Sequence, residues 1–168
     1  MTATPAMFTP FTLREMTLSN RLVMSPMCQY SAQDGTVNDW HLVHLGSRAL
    51  GGSGLVITEM TDISPEGRIS TGCAGMYKPE HVDAWKRVAD FVHANSDAKI
   101  AVQLAHAGRK AACTPPWLGG KPLPAAEAWE IIAPSPIPFS PESQTPRQMS
   151  RDDMDRLIEA FAEGARMA

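Results

Sequence analysis

The chain of 168 residues carries 15 Lys and Arg against 18 Asp and Glu, a formal net charge of -3, with 43% hydrophobic residues. That composition belongs to a globular protein with apolar mass enough for a core, and excludes a disordered or collagen-like chain. The near-balanced charge leaves no electrostatic footprint for nucleic acid or an anionic membrane, and no apolar run of about 18 residues is present to form a transmembrane helix.

The opening MTATPAMFTP has neither the basic nor the apolar stretch of a secretory leader. Cys28, Cys73 and Cys113 are odd in number, far apart and without a CxxC pair. That argues against a disulfide framework and a zinc ribbon, and for a reducing, cytoplasmic setting. Each thiol by itself reads as a small buried hydrophobe.

The first elements in chain order form a hairpin within PFTLREMTLSNRLVM, its two semi-apolar runs flanking Met16 and Thr17. Leu22 to Met24 then reads as a buried strand that Pro26 must end, since proline cannot donate to a ladder. Asp34-Gly35 marks a turn. Asn38 or Asp39 caps a helix that runs to about Leu50, with His41, Leu42, Leu45 and Ala49 at helical spacing. Leu55 to Thr58 (LVIT) is apolar and β-branched, as a buried parallel strand should be.

A long loop from Glu59 to Pro79 carries Pro65-Glu66-Gly67-Arg68, and loops of that length are usually functional. The next helix runs from Pro79 to about Ala94, with Val82, Trp85, Val88, Ala89 and Val92 as its stripe. Lys99 to Ala105 (KIAVQLA) is a further buried strand, and a Pro- and Gly-rich stretch follows from Thr114 to Pro146. Ser150, with Asp153 three residues on, opens a last helix reaching Ala168. Its stripe is Met154, Leu157, Ile158, Phe161 and Ala165.

A hairpin followed by three β-loop-α units implies an α/β fold with a parallel sheet. A dinucleotide-binding fingerprint is missing: Gly52-Ser53-Gly54 follows a helix and precedes a strand, the wrong order for cradling a pyrophosphate. Polar residues gather past the strand ends, at Ser25 to Tyr30, Glu59 to Asp62 and Gln103 to Lys110. Barrel enzymes place their sites at that face, so the expectation is the N-terminal part of a (β/α)8 TIM barrel with an N-terminal β-hairpin. Three strands do not close a barrel, so residues 1–168 read as a partial domain of about three βα units.

Four strings carry a resemblance: SPMCQYS (25–31), NDWHLVHLGSRALGG (38–52), SPEGRIS (64–70) and QLAHAGRK (103–110). Together they resemble the Old Yellow Enzyme family of FMN-dependent ene-reductases, closest to its cysteine-containing, xenobiotic-reductase-like branch. They are also similar to the reductase half of two-domain flavoproteins acting on aromatic acyl-CoA esters. The resemblance implies FMN as cofactor, NADPH or NADH as co-substrate, a small-molecule substrate with an activated C=C bond, and a homo-oligomer in the full-length form. It places Ser25, Pro26, Met27 and Cys28 against the flavin. Cys28 would tune the ring, and Tyr30 would meet the substrate. Gln103 would hold the pyrimidine edge. Met60 stands where the family commonly has a small alanine.

The resemblance puts the substrate-binding histidine pair on the next strand, past Ala168, which implies an N-terminal half inactive by itself. A different class remains open: a non-catalytic half-barrel scaffold completed by another chain. His41 and His44 share a helix face at a spacing that can suit a metal, but packing is the better account and no metal site is expected. His106, Arg109 and Lys110 can hold an acidic group or brace loops. Trp117 and Trp129 can form a lid or fill a satellite core.

Overall fold

The computed structural model describes residues 4–168, so the first three residues of the domain expected over 1–168 lie outside it. Strands β1 (Phe11–Leu13) and β2 (Met16–Leu18) form the antiparallel hairpin. Its turn falls on Arg14-Glu15, with Arg14 at φ 54, two residues before the predicted position. No Asn-Gly pair pins the register here, and both runs are only half apolar, so the pattern alone left the turn free to slide.

Strand β3 (Val23–Met24) is followed by the Asp34-Gly35 turn, where both residues have positive φ (48 and 82) and Gln33 and Thr36 exchange backbone bonds. That is the primed-turn geometry Asp-Gly favours. Helix α1 (Asp39–Leu50) begins as predicted. The Asn38 side chain accepts the Trp40 N–H, and His41 Nδ1 accepts the Asn38 N–H.

Strand β4 runs over Leu55–Asp62, four residues longer than predicted. It pairs in parallel with β3 on one edge and with β6 (Lys99–Ala105) on the other. Ile57 faces Ala101 but Met60 faces Gln103, so β4 spends three steps where β6 spends two. This bulge explains the missed length. Thr58 read as the last residue of the strand and Glu59 as the first of a loop, yet Thr58 Oγ1 accepts the Gln103 N–H at 3.1 Å and carries the ladder across the irregularity. Short β5 (Ala74–Gly75), inside the predicted loop, extends the rank of β3 by pairing with Thr61 and Asp62.

Helix α2 (Pro79–Asn95) starts with proline in its first turn and packs beside α1 over the sheet. The core between them holds Leu45, Val56, Trp85, Val88 and Val92. Val56, Val88 and Val92 are exposed by no more than 2%, and each contributes about 1.5–3 kcal/mol by leaving water.

The Pro-rich stretch folds back as a lid. Its β7 (Ile132–Ala133) pairs in parallel with β8 (Arg147–Gln148) just beyond it, and its Ile131 packs on Ala111 and Ala112 just before it. Helix α3 (Arg151–Met167) has the predicted capping box between Ser150 and Asp153. Its predicted stripe does not enter the core: Met154 and Phe161 are each 39% exposed and Ile158 61%. The helix docks by its small face instead. Arg147 forks onto Asp153 at 2.7 and 3.1 Å, and Gly164 seats against Ile63 and Leu104. Periodicity shows that a helix has an apolar face, not which surface that face meets.

Candidate active site

The parallel strands β3, β4 and β6 end on the same side of the sheet, so the segments leaving them share one rim. The β3 exit runs through Ser25, Pro26 and Met27, with Ser25 and Met27 exposed. Gln29 Nε2 donates to the Met27 carbonyl at 2.8 Å and stiffens this exit. The half-buried Cys28 thiol contacts the Met60 backbone and the Tyr30 side chain. Burial pushes its pKa up, and the Glu59 and Asp62 carboxylates push in the same direction, so the group is a thiol at neutral pH.

Tyr30 has φ 50, an uncommon value for a bulky residue. Its surroundings hold it there. The Trp117 ring meets it edge-on at 5.9 Å, and a Cβ added to Gly72 would lie 2.3 Å from the Tyr30 carbonyl oxygen. That contact leaves room only for glycine. Burial, then the neighbouring Cys28, raise the Tyr30 hydroxyl to about 12, so it stays a proton donor.

Met60 is the direct neighbour of Gln103 in the ladder. The Gln103 carboxamide stands exposed on the open face, next to the small Ala101 and Ala105 on the same side of β6. Tyr30, Cys28, Met60 and Gln103 therefore form one contiguous line across the strand ends. A cavity of about 590 Å³ under the lid touches only Tyr30 among them, with Lys110, Cys113, Lys121 and Phe139 in its wall.

The remaining candidates separate. His41 does not converge with His44 on a metal, and no group of three metal-ligating side chains exists among the described residues. Instead His41 Nε2 lies 3.1 Å from Glu59 Oε1, both side chains buried. The ring N–H is off the hydrogen-bond line, so this contact is electrostatic. His106 Nδ1 accepts the Gly108 N–H, Arg109 donates to Ser135 at 3.0 Å, and Lys110 lies over the Phe139 ring at 5.5 Å. These three brace loops. Trp117 covers Tyr30, while Trp129 donates to the Glu66 carbonyl under Arg68.

Two acids of the Glu59 to Asp62 group, expected in a loop at the rim, lie within β4 and are buried. Glu59 Oε2 accepts the Gln29 N–H at 3.0 Å. Asp62 is fully buried, its two oxygens have no hydrogen-bond partner, and burial raises its carboxyl to about 9. A Glu and an Asp inside a run that turns apolar to polar looked like loop residues. The polar Thr-Glu pair breaking an otherwise β-branched run was the available signal for a bulge.

A parallel sheet covered by helices, its strand ends carrying a thiol, a phenol and a carboxamide, is part of an α/β barrel enzyme fold. The chain belongs to the NADH:flavin oxidoreductase / NADH oxidase family, whose model matches residues 6–168. It is 44% identical over 164 residues to an NADPH dehydrogenase of Geobacillus sp. (strain WCH70), covering 96% of this chain and 44% of that protein. An NADH:flavin oxidoreductase of Gibberella zeae is 40% identical over 166 residues, covering 96% and 40%. Among solved structures, morphinone reductase superposes with a TM-score of 0.82 at 27% identity, over 99% of this chain and 45% of that one. Old Yellow Enzyme from Pichia sp. AKU4542 gives 0.82 at 26% identity, over 96% and 42%. The chain spans less than half the length of these relatives, and its fold is that of the corresponding part of their TIM barrel.

The rim fits the family's flavin. A planar ring needs a flat face of small residues and an amide at its pyrimidine edge, and Ala101, Ala105 and the unpartnered Gln103 carboxamide provide both.

Proposed function

We propose that this chain carries the flavin-facing strands of an FMN-dependent oxidoreductase. The whole protein passes hydride from NADPH or NADH to the activated C=C bond of an α,β-unsaturated carbonyl. The observation behind this is the unbroken line Tyr30–Cys28–Met60–Gln103 across three parallel strand ends. FMN supplies the hydride relay when bound.

The chain's residues do the rest. Gln103 holds the pyrimidine edge with a donor and an acceptor. Ser25, Pro26, Met27 and the Met60 backbone line the ring. Cys28, kept as a thiol, offers a weak hydrogen bond toward the ring edge. Tyr30, kept as a phenol, donates to a carbonyl oxygen as negative charge develops there. One solved relative is a complex of morphinone reductase with tetrahydroNAD, which supports a nicotinamide nucleotide as the co-substrate. Residues 1–168 form one partial barrel domain, inactive until the rest of the barrel is present, and the whole protein is a homo-oligomer.

The test is the visible spectrum of the full-length protein, followed by NADPH consumption with cyclohexenone. A near-stoichiometric flavin band with enone-dependent oxidation supports the reading. A colourless, folded protein assigns the chain to a bare scaffold. A flavin band with turnover only on aromatic acyl-CoA esters assigns it to the two-domain flavoproteins.

A further inference from the structure

Glu59 sits in the β4 bulge. On a pleated strand, side chains alternate between faces. Val56 and Thr58 face the helices, so Glu59 in a regular strand would face the open rim. The extra residue reverses the order. Met60 aligns with Gln103 on the open side, and Glu59 turns back toward α1, where it is 4% exposed.

There it is gripped from two directions. Oε2 accepts the Gln29 N–H at 3.0 Å, and Oε1 faces His41 Nε2 at 3.1 Å. His41 Nδ1 accepts the Asn38 N–H, which leaves the ring proton on Nε2, facing Glu59. Helix α1 holds the same loop from the other side. Asn38 Nδ2 donates to the Ser31 carbonyl at 2.7 Å and Trp40 Nε1 to Gln29 Oε1 at 2.9 Å. Gln29 is the residue between Cys28 and Tyr30, so the whole assembly ends on the peptide that joins them.

We propose that Glu59 is a positioning residue: it anchors the peptide between Cys28 and Tyr30 and places a negative charge behind both side chains. The inference rests on reading Ser25 to Tyr30 as the flavin-facing segment. The charge works against a thiolate at Cys28, a phenolate at Tyr30 and extra electron density on a ring lying over them. The groups acting on Cys28 are Tyr30 from its own loop, Glu59 and Asp62 from β4, and Cys73 from the loop after it.

The experiment uses the full-length, flavin-loaded protein. Glu59→Gln keeps an oxygen for the Gln29 N–H but removes the charge, whereas Glu59→Ala removes both. The pH midpoint of Cys28 alkylation by iodoacetamide, read by mass spectrometry, should fall by about one unit in Glu59→Gln, the order of effect of removing one nearby charge at an effective dielectric of about 20. The flavin midpoint potential should rise, with FMN affinity close to the parent's. Glu59→Ala should in addition loosen FMN by about tenfold or more, as expected for a lost charge-assisted hydrogen bond. In the unsubstituted protein, the Gln29 amide should exchange as slowly as the amides of β4.

An alkylation profile for Glu59→Gln that superimposes on the parent's overturns the proposal, and so does fast exchange at Gln29. Should Glu59→Gln fail to fold, Glu59→Asp decides: the charge stays and the oxygen withdraws, so the midpoint should hold while FMN loosens, and a shifted midpoint refutes the charge role. A shifted Cys28 midpoint in a protein that never binds flavin upholds the positioning and removes the flavin assignment.

Discussion

Asp62 makes stability depend on pH in a direction opposite to most carboxylates. It lies at the end of β4 with both oxygens buried and without hydrogen-bond partners. Burial dominates its environment, Arg68 opposes it, Glu59 adds a smaller push upward, and the carboxyl rises from an ordinary 3.8 to about 9. An acid whose pKa rises on folding holds its proton more tightly in the folded state. Its contribution is therefore intact below pH 3.8 and is lost steadily as pH climbs from there to about 9. Full linkage from 3.8 to pH 7 would cost the folded state about 4 kcal/mol, and relaxation and water entry bring that to about 2–4 kcal/mol. Asp62→Asn has nearly the same shape and no proton to lose. Urea unfolding of parent and variant at pH 5, 7 and 9 should show the variant gaining on the parent at each step, with the difference levelling off near pH 9. Parallel curves, or a variant that loses ground as pH rises, would refute the claim that Asp62 is a buried neutral acid.

Other consequences follow from single contacts. Gly72→Ala places a methyl against the Tyr30 backbone; we expect a stability loss of about 1–3 kcal/mol in thermal melts together with a weakened Trp117–Tyr30 contact, read by tryptophan fluorescence. Tyr30→Phe should lower kcat on an enone by about 100-fold with little change in FMN content, the usual cost of one donor at a developing oxyanion; an unchanged kcat would remove Tyr30 from the chemistry. Ser150→Ala removes the α3 cap acceptor for the Asp153 N–H and should cost about 1 kcal/mol in urea unfolding. Val92→Ala, in the fully buried centre of α2, should cost about 1–3 kcal/mol by lost burial and a residual cavity, a figure the same melts check.

Local chemistry was enough for much of the architecture. The apolar run Lys99 to Ala105 predicted β6 residue for residue, although its side chains are half-buried or exposed rather than buried, and Asn38 or Asp39, Pro79 and Ser150 marked the helix starts because unsatisfied N–H groups there demand a cap or a proline. The segments Ser25 to Tyr30 and Gln103 to Lys110 were legible as a strand-end rim because polar residues follow buried strands there. Tertiary structure alone decided three matters. The β4 bulge depends on register against β6, which a single strand cannot encode, and it determines whether Glu59 or Met60 faces the rim. The α3 stripe points outward because Arg147 and Gly164 choose its docking face. Cys28 and Asp62 owe their proton affinity to burial and to charges brought from distant positions, and no sequence window contains the dielectric around a side chain.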